Sequence, residues 1–291
     1  MNWEQLDWEV LDRLRAQFLR GGKADYWRSR ADLEQYDQTY GQRIAWKWAA
    51  VLAELARLGW RPPGETVLDW GCGSGVAGRC VRDFFGLRTL WVHDRSPLAV
   101  RYACEAGRAE PWRGQPPGLL VLSHVLNEIE PRDVYDVIRQ AEAVIWVEPG
   151  THQDSRALIA QRERWRDEFF VVAPCSHRER CGLLARGQER HWCHFFAEPP
   201  AGVMADANWV RFAKRAGIDL RALPYSYLVL DRRPVGGATG ARVIGRPRLY
   251  KGFARVLLCD ASGVRDEPVA RRDERFKTVQ AGGVMPLPPA S

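Results

Sequence analysis

Along the first sixty residues apolar side chains recur every three or four positions. Leu6, Val10, Leu11, Leu14 and Phe18 share one helical face, and Gly21-Gly22 ends the run. A second run carries Ile44, Trp46, Trp48, Val51, Leu52 and Leu55, stops at Gly59, and is followed by the Pro62-Pro63-Gly64 loop. From residue 65 the texture changes. Short apolar runs at Thr66–Asp69, Leu90–His93, Leu119–Ser123 and Ala143–Glu148 predict strands, and the segments between them predict helices over 76–85, 96–107 and 131–140. Strands that are apolar almost throughout, alternating with helices, predict a parallel sheet covered on both faces. A further helix is expected over 153–168, with Leu158, Ile159 and Trp165 facing inward.

Residues 171–200 break the pattern and show no clean period. Residues 205–216 again predict a helix, ended by Gly217. Tyr225–Asp231 and Ala254–Asp260 predict two strands joined by a long Gly- and Arg-rich connection. After about residue 264 the chain turns charged and then Gly/Pro-rich, which predicts disorder. The expected organisation is a helical region over 1–63, an α/β core over 64–170, a cysteine-rich insert over 171–200, a return to the sheet over 201–262, and a tail over 263–291.

Composition narrows the class. Hydrophobic residues make up 46 % and charged residues 27 % of the chain, which suits a packed domain rather than a disordered one. No apolar run approaches the roughly 20 residues that span a bilayer. The opening MNWEQLDWEVLDRL is acidic and amphipathic, unlike a secretory or transit signal, so a cytoplasmic chain with no membrane step is expected. The net charge of +7 biases the chain toward anionic partners, nucleic acid first, although an Arg-rich composition alone produces the same excess. Seven cysteines, an odd number without an export signal, point to metal or cluster ligation rather than disulfides.

The most informative motif is Asp69-Trp70-Gly71-Cys72-Gly73-Ser74-Gly75, where the first strand turns into a helix. Glycines there let a ligand approach the backbone, and helix N-terminal amides suit an anionic group. Gly73, Gly75 and Gly78 also spell the dinucleotide pattern, with Asp94 about 20 residues on. Asp69 discriminates between the two. A carboxylate at the strand tip repels a pyrophosphate and attracts the ammonium of S-adenosylmethionine (SAM). The SAM reading is therefore favoured over the dinucleotide reading and over a ligand-free turn. Asp69, Gly71, Gly73, Gly75, Asp94 and Ser123 are the cofactor candidates, with Asp94 placed to accept from the ribose hydroxyls.

Ser123-His124-Val125-Leu126-Asn127-Glu128 follows the third strong strand, at the sheet edge where open α/β folds bind ligands. His124 is a candidate base, and Asn127 and Glu128 are candidate acceptor-holding groups. The competing reading is a helix start with local polar contacts. Cys175, Cys181 and Cys193 fall in one irregular stretch, and Cys259 ends the last predicted strand. Four thiolates can close a zinc site or hold a [4Fe–4S] cluster. Gaps of five and eleven residues between the first three suit a cluster better than a knuckle, while His177, His191 and His194 keep zinc open. Ala173-Pro174-Cys175-Ser176 also resembles the Pro-Cys motif of RNA cytosine-5 methyltransferases, although it lies one strand and one helix too late. Cys72, Cys80 and Cys104 read as small packed side chains.

Taken in order, VLDWGCGSG, SHVLNEIE, WVEPGT, VVAPCSHRERC, HWCHF and RPRLYKG…LLCD resemble the methyltransferase-like proteins of the mitochondrial small ribosomal subunit (the Rsm-twenty-two family) and their bacterial relatives. The resemblance runs from about residue 40 to 262. It implies an α/β fold with a Rossmann-like class I methyltransferase sheet, N-terminal helices and a cysteine-rich cluster-binding insert. It also implies SAM binding, a [4Fe–4S] cluster on Cys175, Cys181, Cys193 and Cys259, and work on or beside small-subunit ribosomal RNA; a monomeric chain is expected. Methyl transfer itself does not carry over. A non-catalytic assembly factor and a zinc-stabilised RNA-binding module are the alternatives. The basic connection Arg242–Lys251 fits either an RNA-contacting surface, with Tyr250 stacking on a base, or a solvated loop.

Overall fold

A computed structural model describes residues 3–21, 25–236 and 238–287. The chain forms two compact units, one of Met1–Arg57, Arg61–Val144 and Ala197–Leu223, the other of Leu58–Trp60, Ile145–Phe196 and Pro224–Ser291.

The first unit opens with three helices, α1 (Trp8–Arg20), α2 (Arg30–Gln38) and α3 (Tyr40–Arg57). Asp7 caps α1 by accepting the Glu9 and Val10 amides, Ser29 caps α2, and Gly21 closes α1 with its amide on the Gln17 carbonyl. Gly22, the second glycine of the predicted stop, lies outside the described residues. The sheet follows as β1 (Thr66–Trp70), α4 (Val76–Phe85), β2 (Thr89–His93), α5 (Pro97–Gly107), β3 (Glu110–Pro111) and β4 (Leu119–Ser123), then the short helix α6 (Tyr135–Gln140). The strands run parallel in the order β3-β2-β1-β4. Leu68, Val67 and Leu119 through Leu122 are fully buried, so the apolar runs sit in the sheet core. Each such leucine contributes about 1.5–3 kcal/mol by leaving water.

The second unit begins within β5 (Ala143–Pro149) and continues with α7 (His152–Trp165), β6 (Phe170–Ala173) and β7 (Phe195–Ala197). Helix α8 (Ala207–Ala216) belongs to the first unit, where Trp209 and Phe212 pack with Leu11 and Tyr40. The second unit then resumes with β8 (Leu223–Asp231), β9 (Ala241–Leu249), β10 (Phe253–Asp260), β11 (Gly263–Ala270) and β12 (Val284–Met285). Strands β5, β8 and β6 are neighbours in that order, β6 running antiparallel to β8 and β7 pairing β8. A separate antiparallel sheet has the order β11-β10-β9-β12. Its core is Val243, Ala254, Val256, Leu258, Val269 and Met285.

Three differences from the sequence expectation have physical causes. The cysteine-rich segment is not a free insert: Val171 and Val172 lie buried in β6, and buried Phe195 begins β7, which leaves 174–194 as the irregular part. The Gly/Arg-rich connection contains β9, whose Ala241, Val243 and Ile244 are buried, so it is neither a loop nor uniformly exposed. The predicted disordered tail forms β11, a 3-10 turn at Glu274–Thr278 and β12, up to the last described residue. Its charges pair laterally, Arg265 with Asp260 and Glu267, and Arg275 with Glu267 and Asp273. Charge that satisfies itself across a hairpin reads, in the sequence, like charge that faces only water.

Candidate functional site

The glycine loop joins β1 to α4. Gly71, Gly73 and Gly75 have φ of 75°, 51° and 76°, a region costly for residues with a Cβ. A Cβ on Gly71 would lie 2.7 Å from Val125 Cγ1, and one on Gly78 would lie 2.7 Å from Leu90 Cδ1 and 2.8 Å from Asp69 Cβ. The loop consumes most of its own amides. Those of Gly71 and Cys72 donate to the His93 carbonyl, at 2.7 and 3.0 Å, and that of Gly75 donates to the Cys72 carbonyl. Of the helix N-terminal amides that the sequence reading reserved for an anion, that of Gly78 is taken by Asp69.

Asp69 lies buried beneath the loop, and its Oδ2 accepts the Gly78 amide at 2.8 Å, fixing the first turn of α4. Burial pushes its carboxyl up to about 7, opposed by the Gly78 bond and by Arg79. Asp94, just past β2, accepts the Gly73 amide through Oδ2 and the Ser96 amide through Oδ1, both at 2.9 Å. Burial raises its carboxyl too, against those two bonds. Each oxygen keeps lone-pair capacity for a further donor.

The β4 edge is built by α3. Trp48 Nε1 donates to Ser123 Oγ at 3.0 Å, and Lys47 Nζ lies 3.1 Å from His124 Nε2. His124 Nδ1 is 3.2 Å from Ser123 Oγ, and the residue adopts φ of 58°. With Lys47 protonated, its ammonium donates to Nε2 and the ring hydrogen sits on Nδ1, donating to Ser123. The serine then accepts twice and keeps its own hydrogen for a ligand. Burial, Lys47 and Arg43 hold His124 well below the usual histidine range. Glu128 accepts from Arg95 at 2.9 Å and from the Tyr26 hydroxyl at 3.2 Å, and burial raises its carboxyl. Asn127 is exposed, and its carbonyl faces Gly21.

The N-terminal helices cover this edge, which the sequence reading missed. A Cβ placed on Gly73 would lie 3.7 Å from the Trp27 ring. Tyr26, Trp27, Tyr36 and Phe18 pack edge to face or tilted against one another. Asp37 at the end of α2 clamps the loop: Arg79 Nη2 reaches its Oδ1 and Oδ2 at 2.7 and 2.8 Å, and Ser74 Oγ donates to Oδ1 at 2.9 Å. The signal lay in Arg43 and Lys47, two cations one turn apart, the first just before and the second within the largely apolar stretch from Ile44 to Leu52.

In the second unit the cysteine candidates come together. Cys175, Cys181, Cys193 and Cys259 line one cavity of about 40 Å³, with Arg162, Arg242 and Ile244 also in its wall. Arg162 is buried, and its Nε donates to Cys175 Sγ at 3.2 Å. Cys259 Sγ lies 3.6 Å from His177 Nε2, and the Cys193 carbonyl accepts from the Ser155 and Ser226 hydroxyls. Burial and the neighbouring thiols push Cys181 up to about 11, and Cys193 and Cys259 higher still. Among the described residues no three His, Cys, Asp or Glu side chains are arranged to hold a metal ion. His194 instead stacks on Trp192, and His191 accepts from Arg190. Arg242 is buried, donating to the Pro174 and Gly282 carbonyls, so it is not part of an exposed basic surface. Tyr250 is exposed and stacks on Phe253 at 4.6 Å. Cys72, Cys80 and Cys104 all have thiols raised by burial, as packed cysteines do. No helix among the described residues is long and apolar enough to cross a membrane.

Comparison with known proteins gives a family match over residues 95–277, to the family described as "Mitochondrial small ribosomal subunit Rsm22". The search of curated proteins gave no match. Solved structures similar to this chain include a putative RNA methyltransferase from Pyrococcus horikoshii, at 12 % identity, covering 64 % of this chain and 82 % of that one, with a TM-score of 0.39. Magnesium protoporphyrin IX methyltransferase from Synechocystis PCC 6803 with bound SAH is 14 % identical, covers 78 % and 95 %, and scores 0.40. The plantazolicin methyltransferase BpumL in complex with an analogue and SAH is 11 % identical, covers 77 % and 99 %, and scores 0.43.

Proposed function

The chain belongs to the Rsm22 family of the mitochondrial small ribosomal subunit, and on that premise we propose that it is a SAM-binding, methyltransferase-like protein working on or beside small-subunit ribosomal RNA. The observation that carries the cofactor reading is the pair of carboxylates at the tips of adjacent strands. Asp94 is held by the Gly73 and Ser96 amides where a ribose would lie, and Asp69 is buried under the glycine turn. A diphosphate would enter a turn whose amides are already engaged and whose floor is acidic. The ammonium of SAM would meet a carboxylate and restore its ionised form.

Titration calorimetry with SAH and with NAD tests this reading. Micromolar SAH binding with no NAD binding is expected, and the reverse result rejects it. Incubation of immature small subunits with tritiated SAM then separates enzyme from assembly factor. One observation favours the second of these: Lys47 and Ser123 engage both ring nitrogens of His124, so the candidate base at this edge is already occupied.

In the same reading, the second unit carries a [4Fe–4S] cluster on Cys175, Cys181, Cys193 and Cys259. What supports this part of the reading is that four thiols line one cavity beside a buried guanidinium, a donor set that suits a cluster. Arg162 would donate to the Cys175 sulfur and offset the cluster's negative charge. When bound, such a cluster would supply one-electron chemistry or a structural cross-link. The residues themselves supply four thiols, a buried cation and a dry wall. The exposed Tyr250, stacked on the half-buried Phe253 at the β9–β10 turn, is the proposed RNA contact.

A further inference from the structure

The glycine turn provides poor accommodation for a carboxylate, because its Gly71, Cys72, Gly73 and Gly75 amides are already bonded within the protein. The amino-acid end of SAM carries both an ammonium and a carboxylate, and the acidic floor at Asp69 serves only the first. A cation is therefore required nearby.

Arg43 meets that requirement. It lies on α3 one turn before Lys47, so the two share a helix face. Lys47 Nζ sits 3.1 Å from His124, which follows β4. In the register of β4 with β1, Leu122 stands opposite Trp70, so His124 lies beside the glycine turn. Arg43 Nε is buried and finds no hydrogen-bond partner among the described residues. The titratable groups that bear on Arg43 are Tyr40, Tyr36 and His124, with no carboxylate among them. An orphaned guanidinium donor at the edge of a ligand site costs free energy until an anion arrives.

The direction along the sheet fits as well. The strand order is β2-β1-β4, with Asp94 at the β2 end and the Arg43 face at the β4 end. Two strand spacings, about 10 Å, separate those ends. That distance suits a ligand with its ribose on one side and its amino acid on the other. Resting on the SAM reading above, we propose that Arg43 binds the oxyanion of the ligand at this edge, namely the α-carboxylate of the cofactor's methionine part.

A phosphate of an RNA acceptor offers the same chemistry, and the test separates the two sources. SAH, 5′-methylthioadenosine (adenosine and sulfur without the amino acid) and a short oligoribonucleotide are titrated into the full-length wild type, Arg43→Gln and Arg43→Lys. The expected result is a roughly 10- to 100-fold loss of SAH affinity in Arg43→Gln, partial recovery in Arg43→Lys, and unchanged 5′-methylthioadenosine affinity in all three. Retained 5′-methylthioadenosine binding also reports an intact site in the variants. SAH affinity equal within twofold in wild type and Arg43→Gln overturns the proposal while leaving the SAM reading standing. So does a loss confined to the oligoribonucleotide, which assigns Arg43 to phosphate. A wild type that binds neither SAH nor 5′-methylthioadenosine removes the SAM reading and this proposal together.

Discussion

At the residue scale, Asp69 does two things that pull against each other. Its Oδ2 anchors the Gly78 amide, and its burial raises the carboxyl from 3.8 to about 7. A carboxyl whose folded value lies above its unfolded value holds its proton longer in the native state. Stability from this group is therefore complete below about pH 4 and declines as pH rises toward 7. Three units correspond to up to about 4 kcal/mol. Asp69→Asn keeps an acceptor for Gly78 and cannot ionise. Its melting temperature relative to wild type is expected to rise between pH 4 and 7 and to level off above, while its SAH affinity falls at pH 8. Parallel melting curves across that pH range would remove the raised carboxyl from the account. The residue was legible in the sequence as the acid at the strand tip. That it also anchors α4 was not, because only the fold brings Gly78 back over it.

At the scale of elements, most periodic parts of the chain were legible to within a residue or two, although the helix expected over 153–168 ends at Trp165 and α2 was not foreseen. The helix expected over 76–85 is α4 with those bounds, and Thr66–Asp69 is β1 short of Trp70. Both are buried segments whose period reflects a single environment. β9 and β11 were not legible, since Arg248, Arg255 and Asp266 satisfy each other across strands and mask the alternation that burial would impose. The four cysteines were found from their types and their resemblance, whereas the cover formed by α1 and α2 left no motif. That cover depends on Asp37, bonded to Arg79 and Ser74. Asp37→Ala should cost about 1–3 kcal/mol and speed amide exchange over 30–38 while β1 and β4 remain protected. Equal exchange in α2 would assign the clamp no role. In the second unit, Cys181→Ser should lower iron and sulfide content in anaerobically purified protein and loosen 174–194, because three thiolates hold a cluster poorly. One zinc per wild-type chain without iron would replace the cluster reading.

At the scale of the whole molecule, charge decides how the protein would meet RNA. The chain has 43 Lys and Arg against 36 Asp and Glu, an excess of +7. Many of the arginines are spent on partners within the fold: Arg79 on Asp37, Arg95 on Glu128, Arg248 and Arg255 on Asp266, Arg275 on Glu267. The net excess of about seven cations sets the scale of the charge open to an RNA backbone. Counterion release on single strands gives a slope of about −0.7 per phosphate neutralised, so seven phosphates correspond to a slope of about −5 in log affinity against log salt. Stacking must supply what charge does not, and the exposed Tyr250, backed by the half-buried Phe253, is the ring proposed to do so. Tyr250→Ala should weaken binding of a short oligoribonucleotide by about 1–3 kcal/mol and leave the salt slope unchanged, as read by fluorescence anisotropy over a salt series. A variant that flattens the slope without this loss would make the β9–β10 turn an electrostatic contact, and a slope steeper than −5 would require basic side chains to gather on RNA in a way their pairing in the fold opposes.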